Sequence, residues 1–293
     1  MSATVVEVPV VVAAPRRSGW VRRLWRSPSG KIGVVLTALL VVGAVAATAH
    51  LLPYDPVEQH PLDRLLGPSH RYWLGTDQFG RDVFSRCVEG TKTSLRVALV
   101  AVGIAAFVGS LAGVAAGFAG GILDSVVMRI CDVLFAFPAI LLALAIVAAL
   151  GSGWLNTSIA IGIVYIPIFA RVARGPVLAL QDVDFVRAGR VLGFSTPRIL
   201  FRHVLPNVAA PIIVQVTLSL SWAILTESSL SFLGLGTQPP EPSWGNIIRD
   251  GLNNMFGSPW PIIGAGVAIS ITVLGFNMIG DAVRDVLDPE RRA

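Results

Sequence analysis

Six stretches of this sequence, 32–52, 94–118, 126–150, 154–173, 208–235 and 261–279, are apolar over a length close to or above what a membrane helix needs. Crossing the hydrocarbon of a bilayer as a helix takes about 20 residues. With no water to satisfy the backbone, lipid-exposed runs of this kind can only be helices, and a membrane barrel would show short alternating segments instead. The expected fold is therefore all-α, a polytopic membrane helix bundle of about six transmembrane helices. Composition agrees, since 54% of the 293 residues are hydrophobic and 14% charged, against roughly 25% charged in soluble domains. Twenty-nine glycines and seven tryptophans suit spanning helices and membrane interfaces respectively.

Charge sets the expected orientation. Arg16, Arg17, Arg22, Arg23, Arg26 and Lys31 gather just before the first apolar run. That placement reads as a positive-inside flank, and no nucleic-acid partner is expected from it. The small residues Ala46, Ala47, Thr48 and Ala49 imitate a signal-peptide cleavage site. The run before them is longer than the 7–15 residues of a signal peptide's apolar core, so an uncleaved anchor is expected. Six spans put both termini in the cytoplasm with Arg129, the loop from Arg171 to Arg202 and the tail arginines Arg284, Arg291 and Arg292. Arg64, Arg71, Arg81, Arg86, Lys92, Arg96 and Arg249 fall outside, mostly in one long segment beside Asp55, Glu58, Asp63, Asp77, Asp82 and Glu89. The chain then divides into a basic cytoplasmic segment 1–30, a first anchor 31–52, an extracytoplasmic loop 53–93, a core 94–281 with a cytoplasmic loop 174–207, and a cytoplasmic tail 282–293. Cys87 lies outside and Cys131 near the inner edge in this topology, which rules against a disulfide between them.

Few residues offer chemistry. His50, His60, His70 and His203 have no zinc spacing, and no Ser/His/acid set can be assembled across the membrane, so neither a metal site nor a catalytic residue is expected. Asp77 and Asp82 could hold a cation, but in a Gly-rich turn such residues more often accept from the local backbone. No strand leads into a Gly-x-x-x-x-Gly-Lys-Ser/Thr loop, so this chain is not expected to bind ATP. Gly109-x-x-x-Gly113-x-x-x-Gly117 reads as a face for close helix packing, or, with Gly120 and Gly121, as a hinge. An ionisable group in a span costs several kcal/mol, which singles out Asp132 and Glu227. Asp132 suggests a structural pair with Arg129 or the loop arginines, or gating near Pro138. Glu227 sits in a polar series with Ser221, Thr226, Ser228, Ser229 and Ser231 and suggests a path-lining or subunit-interface position.

Most informative is Phe185-Val-Arg-Ala-Gly-Arg-Val-Leu-Gly-Phe-Ser-Thr-Pro-Arg-Ile-Leu-Phe-Arg-His-Val-Leu-Pro-Asn207. It reads as two short helices, the first closed by Gly193 in the left-handed conformation, the second capped by Ser195 or Thr196 with Pro197 in its first turn and Pro206 at its end. Apolar Val191, Leu192, Ile199, Leu200 and Phe201 on such a hairpin point to burial in a partner's groove, or to a helix lying on lipid.

These residues, with Gly193 and the Arg-His-Val-Leu-Pro-Asn run that ends at Asn207, resemble the EAA loop of binding-protein-dependent ABC importers. Leu74-Gly-Thr-Asp-Gln-Phe-Gly-Arg-Asp-Val-Phe-Ser-Arg86, Ser228-Ser-Leu-Ser-Phe-Leu-Gly-Leu-Gly236, Pro239-Pro-Glu-Pro-Ser-Trp-Gly245 and Gly280-Asp-Ala-Val-Arg-Asp-Val-Leu-Asp-Pro289 narrow the resemblance to the dipeptide/oligopeptide/nickel permease family. The resemblance implies a type I importer permease fold in a plasma or inner membrane. It implies a homologous second permease subunit, two ATPase subunits that hydrolyse ATP with Mg, and an extracytoplasmic binding protein that delivers a short peptide; nickel or another small ligand is the alternative cargo. ATPase coupling then falls to Ala188, Gly189, Leu192, Gly193, Ser195, Ile199, Arg202, His203 and Pro206, and the translocation path to Pro138, Ser221, Glu227, Ser228 and Ser231. Two departures stand out: Gly189 where the family usually has a second alanine, which costs a helix about 0.5–1 kcal/mol, and Glu227-Ser228-Ser229 where it tends to acidic-Ala-Ser. A membrane-embedded enzyme is disfavoured by the missing catalytic set, and a passive channel has no use for such a loop.

Overall fold

The computed structural model describes residues 27–181, Val183, 193–195, Arg198 and 200–287. The coupling residues Ala188, Gly189, Leu192 and Ile199, the side chain of His203, and the basic segment and tail beyond these bounds lie outside the described residues. The helices α1 (Pro28–Thr48), α2 (Val83–Ala119), α5 (Trp154–Gln181), α6 (Leu205–Phe232) and α8 (Trp260–Leu287) are each long and apolar enough to cross a membrane. Two shorter helices, α3 (Gly121–Phe135) and α4 (Ala139–Leu150), pass the same test only as a pair bent by 92°. Between α6 and α8 lies α7 (Trp244–Leu252). The expected all-α bundle is what forms, and the described residues hold one isolated bridge, Thr76 with Asp82, and no longer strand.

The third span departs from the continuous helix expected over 126–150. Pro138 has no N–H to donate and turns Phe137 away from helical geometry, so the chain breaks between Phe135 and Ala139. The pieces are 15 and 12 residues long, each short of the roughly 20 that cross hydrocarbon. The second helix also departs, starting at Val83 within the stretch read as extracytoplasmic loop. Asp82 caps it, its carboxylate accepting from Ser85 N at 2.8 Å.

At the centre α2 packs along α5, with α6 across both and α8 between α1 and α6. Small residues make the α2–α5 approach close. A Cβ on Gly113 would overlap the carbonyl oxygen of Ala170, and one on Gly117 would stand 3.1 Å from Val177 Cβ. The glycine row is thus a packing face. The bend is carried separately by Gly120 and Gly121, at φ +63° and +56° between α2 and α3, a conformation that side chains disfavour. The main core gathers Val97, Ala101 and Val102 of α2, Ile161 and Phe169 of α5, Ile224 and Leu230 of α6, and Trp244 of α7.

Candidate functional site

A second, smaller core marks one end of the bundle. Val114 of α2, Ala173 and Val177 of α5, Val204 and Val208 are buried together, and Phe194 and Leu200 of the candidate coupling loop pack on them. Gly193 has φ +75°, the left-handed conformation its place in the turn predicts, and open space surrounds it. Around this anchored turn Gly193, Ser195, Arg198 and Arg202 stay exposed, with the Arg198 guanidinium 4.7 Å over the Phe194 ring. One expectation is corrected here. Pro206 begins a helix instead of ending one: a π-helical turn at Leu200–Val204 runs into α6, whose first turn holds the proline where a missing N–H costs nothing.

The same end carries two ion pairs. Arg174 grips Asp124 through Nε and Nη2 at 2.5 and 2.6 Å, and Arg171 Nη2 lies 2.6 Å from Asp132 while its guanidinium sits 4.4 Å over the Phe135 ring. Both arginines belong to α5, which continues to Gln181, so residues 174–181, expected in the loop, are helical. The partner of Asp132 is therefore Arg171 and not Arg129. Asp124 and Arg174 were not singled out from the sequence. The available signal was a pair of arginines three apart at the end of an apolar run, with carboxylates eight apart in the next run upstream.

Of the residues expected along the path, Pro138 is exposed at the α3–α4 bend, beside the half-exposed Phe137, Ile140 and Leu141. The others are interior. Ser221, Glu227, Ser228 and Ser231 are 2, 0, 6 and 1% exposed. Ser221 donates to the Val273 carbonyl of α8 at 3.3 Å. The Glu227 carboxyl accepts from Ser94 of α2 at 2.8 Å and Ser231 at 2.7 Å, with Ser228 at 3.4 Å. Desolvation drives a lone carboxyl toward the nearest hydroxyls, and those of Glu227 lie within its own bundle.

Above Glu227 the quoted motifs meet in one cap. Trp244 is fully buried and its Nε1 donates to the Cys87 carbonyl at 2.9 Å, while Ser243 and Asn246 close a reciprocal capping box on α7. Asp77 accepts from the backbone of Phe79 and Arg81 at 2.8 and 3.0 Å, pairs with the Arg81 side chain at 2.7 Å and stands 3.5 Å from Arg86. Asp77 and Asp82 are thus backbone acceptors, as turn chemistry predicts. Gln78 and Asn254 hydrogen-bond each other, and Arg96 reaches Glu241 at 3.0 Å. Tyr72 donates to Asp63 at 2.8 Å. Beneath the cap's surface an open polar cleft of about 430 Å³ is lined by Gln59, Gln78, Arg81, Glu241, Asn246 and Asp250. The buried tryptophan went unread because α7 is short and mixed in polarity, giving no apolar run.

The arrangement provides shape, a polar interior and an anchored exposed turn; among the described residues no group of three His, Cys, Asp or Glu side chains could hold a metal. Comparison with known proteins agrees with a transport role. The chain is 44% identical over 260 residues to the dipeptide transport system permease protein DppC of Alkalihalophilus pseudofirmus, covering 89% of this chain and 85% of that one. It is 40% identical over 295 residues to the glutathione transport system permease protein GsiD of Pectobacterium atrosepticum, covering 99% and 98%. The GsiD of Escherichia coli O157:H7 is 42% identical over 283 residues, covering 96% and 93%. Residues 109–293 match the family described as the binding-protein-dependent transport system inner membrane component, and the chain belongs to that family.

Proposed function

We propose that this permease forms half of the membrane path of an ATP-driven importer of short peptides, a dipeptide or a tripeptide such as glutathione. A homologous second subunit supplies the other half, a binding protein delivers the peptide to the outer cap, and two ATPase subunits dock on the loop between α5 and α6, beyond Gln181. ATP and Mg are bound and consumed by those subunits. Both termini are cytoplasmic in this reading. The cargo is carried over from the dipeptide and glutathione permeases to which the chain is similar over most of its length.

One observation carries the docking reading. The turn at Gly193 is anchored from beneath by Phe194 and Leu200 on the ends of α2, α5 and α6, while Gly193, Ser195, Arg198 and Arg202 remain exposed. A turn anchored in that way can be pushed without detaching, and its displacement passes into the helices. Replacing Gly193 by Asp places a side chain in the left-handed conformation at about 1–2 kcal/mol, with no steric clash to confuse the outcome. Gly193→Asp is expected to leave the chain inserted and paired with its membrane partner while ATPase subunits no longer copurify and uptake is lost. Wild-type ATPase recovery and uptake in that variant would remove the docking role.

A further inference from the structure

Helix α3 is held apart from its neighbours in sequence. At one end Gly120 and Gly121 take positive φ in open space, and at the other the chain bends by 92° at Pro138. Little packing secures it within its own chain. Cys131 is its one buried residue, while Ile122, Val126, Ile130 and Val133 are about half exposed or more. Two of its three charged residues, Asp124 and Asp132, are bound to Arg174 and Arg171 of α5. The Arg174 contact is bidentate, which fixes orientation as well as distance. Arg174 stands seven residues before the end of α5 at Gln181, about 10 Å along the helix from the start of the coupling loop.

We propose that Arg174–Asp124 and Arg171–Asp132 make α3 a strut that carries displacement of the coupling loop to the Pro138 bend, so that these four side chains are positioning residues for the transport cycle. When the end of α5 moves, both arginines move with it as one rigid surface. The glycine pair and the proline bend let α3 follow as a unit, and the exposed apolar stretch around Phe137 and Ile140 shifts with it. Surface ion pairs are usually worth little to stability, so a pair placed here has its main consequence in geometry. The inference rests on the docking role proposed for the loop between α5 and α6.

The test uses the whole transporter in proteoliposomes, with Asp124→Arg, Arg174→Asp and the double reversal. Each single reversal is expected to keep the ATPase subunits attached and ATP hydrolysis within about twofold of wild type, and to lower dipeptide taken up per ATP hydrolysed by about tenfold or more. The double reversal is expected to restore that ratio to within about threefold. Asp124→Asn, which removes the charge without repulsion, is expected to lower the ratio less than Asp124→Arg. Single reversals with a wild-type ratio, or a double reversal that stays uncoupled, would overturn the strut while leaving the docking role intact. Failure of the wild-type chain itself to hold ATPase subunits would overturn both.

Discussion

A carboxyl inside a membrane helix costs several kcal/mol when it stands alone, and Glu227 shows how this fold offsets that cost. Three serine hydroxyls, one of them from α2, satisfy the side chain in a site with no exposure. Removing it strands those hydroxyls and leaves a cavity. Glu227→Ala is expected to destabilise the detergent-solubilised chain by about 2–4 kcal/mol, whereas Glu227→Gln, which keeps the size and can still bond the hydroxyls, should cost about 1 kcal/mol or less. Thermal unfolding of the two variants checks this, and an Ala variant that melts like wild type would contradict it. The sequence marks Glu227 as unusual but not which way it points, because its decisive partner, Ser94, is 133 residues away. Gly193 is the opposite case: the positive φ expected of it from the local sequence is the one it has.

At the scale of elements, hydrophobic length was enough to locate the spans, and its failures have local causes. Apolar periodicity cannot report that Pro138 breaks a run into two helices, nor that Asp82 starts α2 before its apolar stretch begins. The helix α7 is stabilised by its capping box and by a single buried tryptophan, neither of which produces a run. The contact of α2 with α5 is where one atom decides most. Gly113→Ala forces two backbones apart and is expected to cost about 1–3 kcal/mol. Gly103→Ala on the same helix meets nothing within 4 Å, and should be neutral or stabilising by up to about 1 kcal/mol. Melting the two variants side by side separates packing from helix propensity. Equal effects at both positions would mean that the close approach is not what fixes the pair.

The whole molecule has two unlike ends. One is a hydrogen-bonded cap in which Asp77, Arg81, Gln78 and Trp244 help join two distant stretches of chain, 77–87 and 244–254. The other is a small apolar core beneath an exposed turn, with α3 tied to α5 by ion pairs. A densely hydrogen-bonded end and a second end built around turns and bends suit a path that opens alternately to each side. Membership of the permease family was legible from motifs spread along the chain. The way those motifs converge was not, since convergence is decided by packing over long sequence separations. The central claim is that this chain passes peptide only when ATPases drive it. The direct measurement is uptake of a labelled dipeptide into proteoliposomes containing the permease, its membrane partner and the ATPase subunits, with binding protein outside and ATP inside. Accumulation against a gradient that disappears when either ATP or binding protein is omitted is the predicted result, and equal flux without ATP would contradict the account.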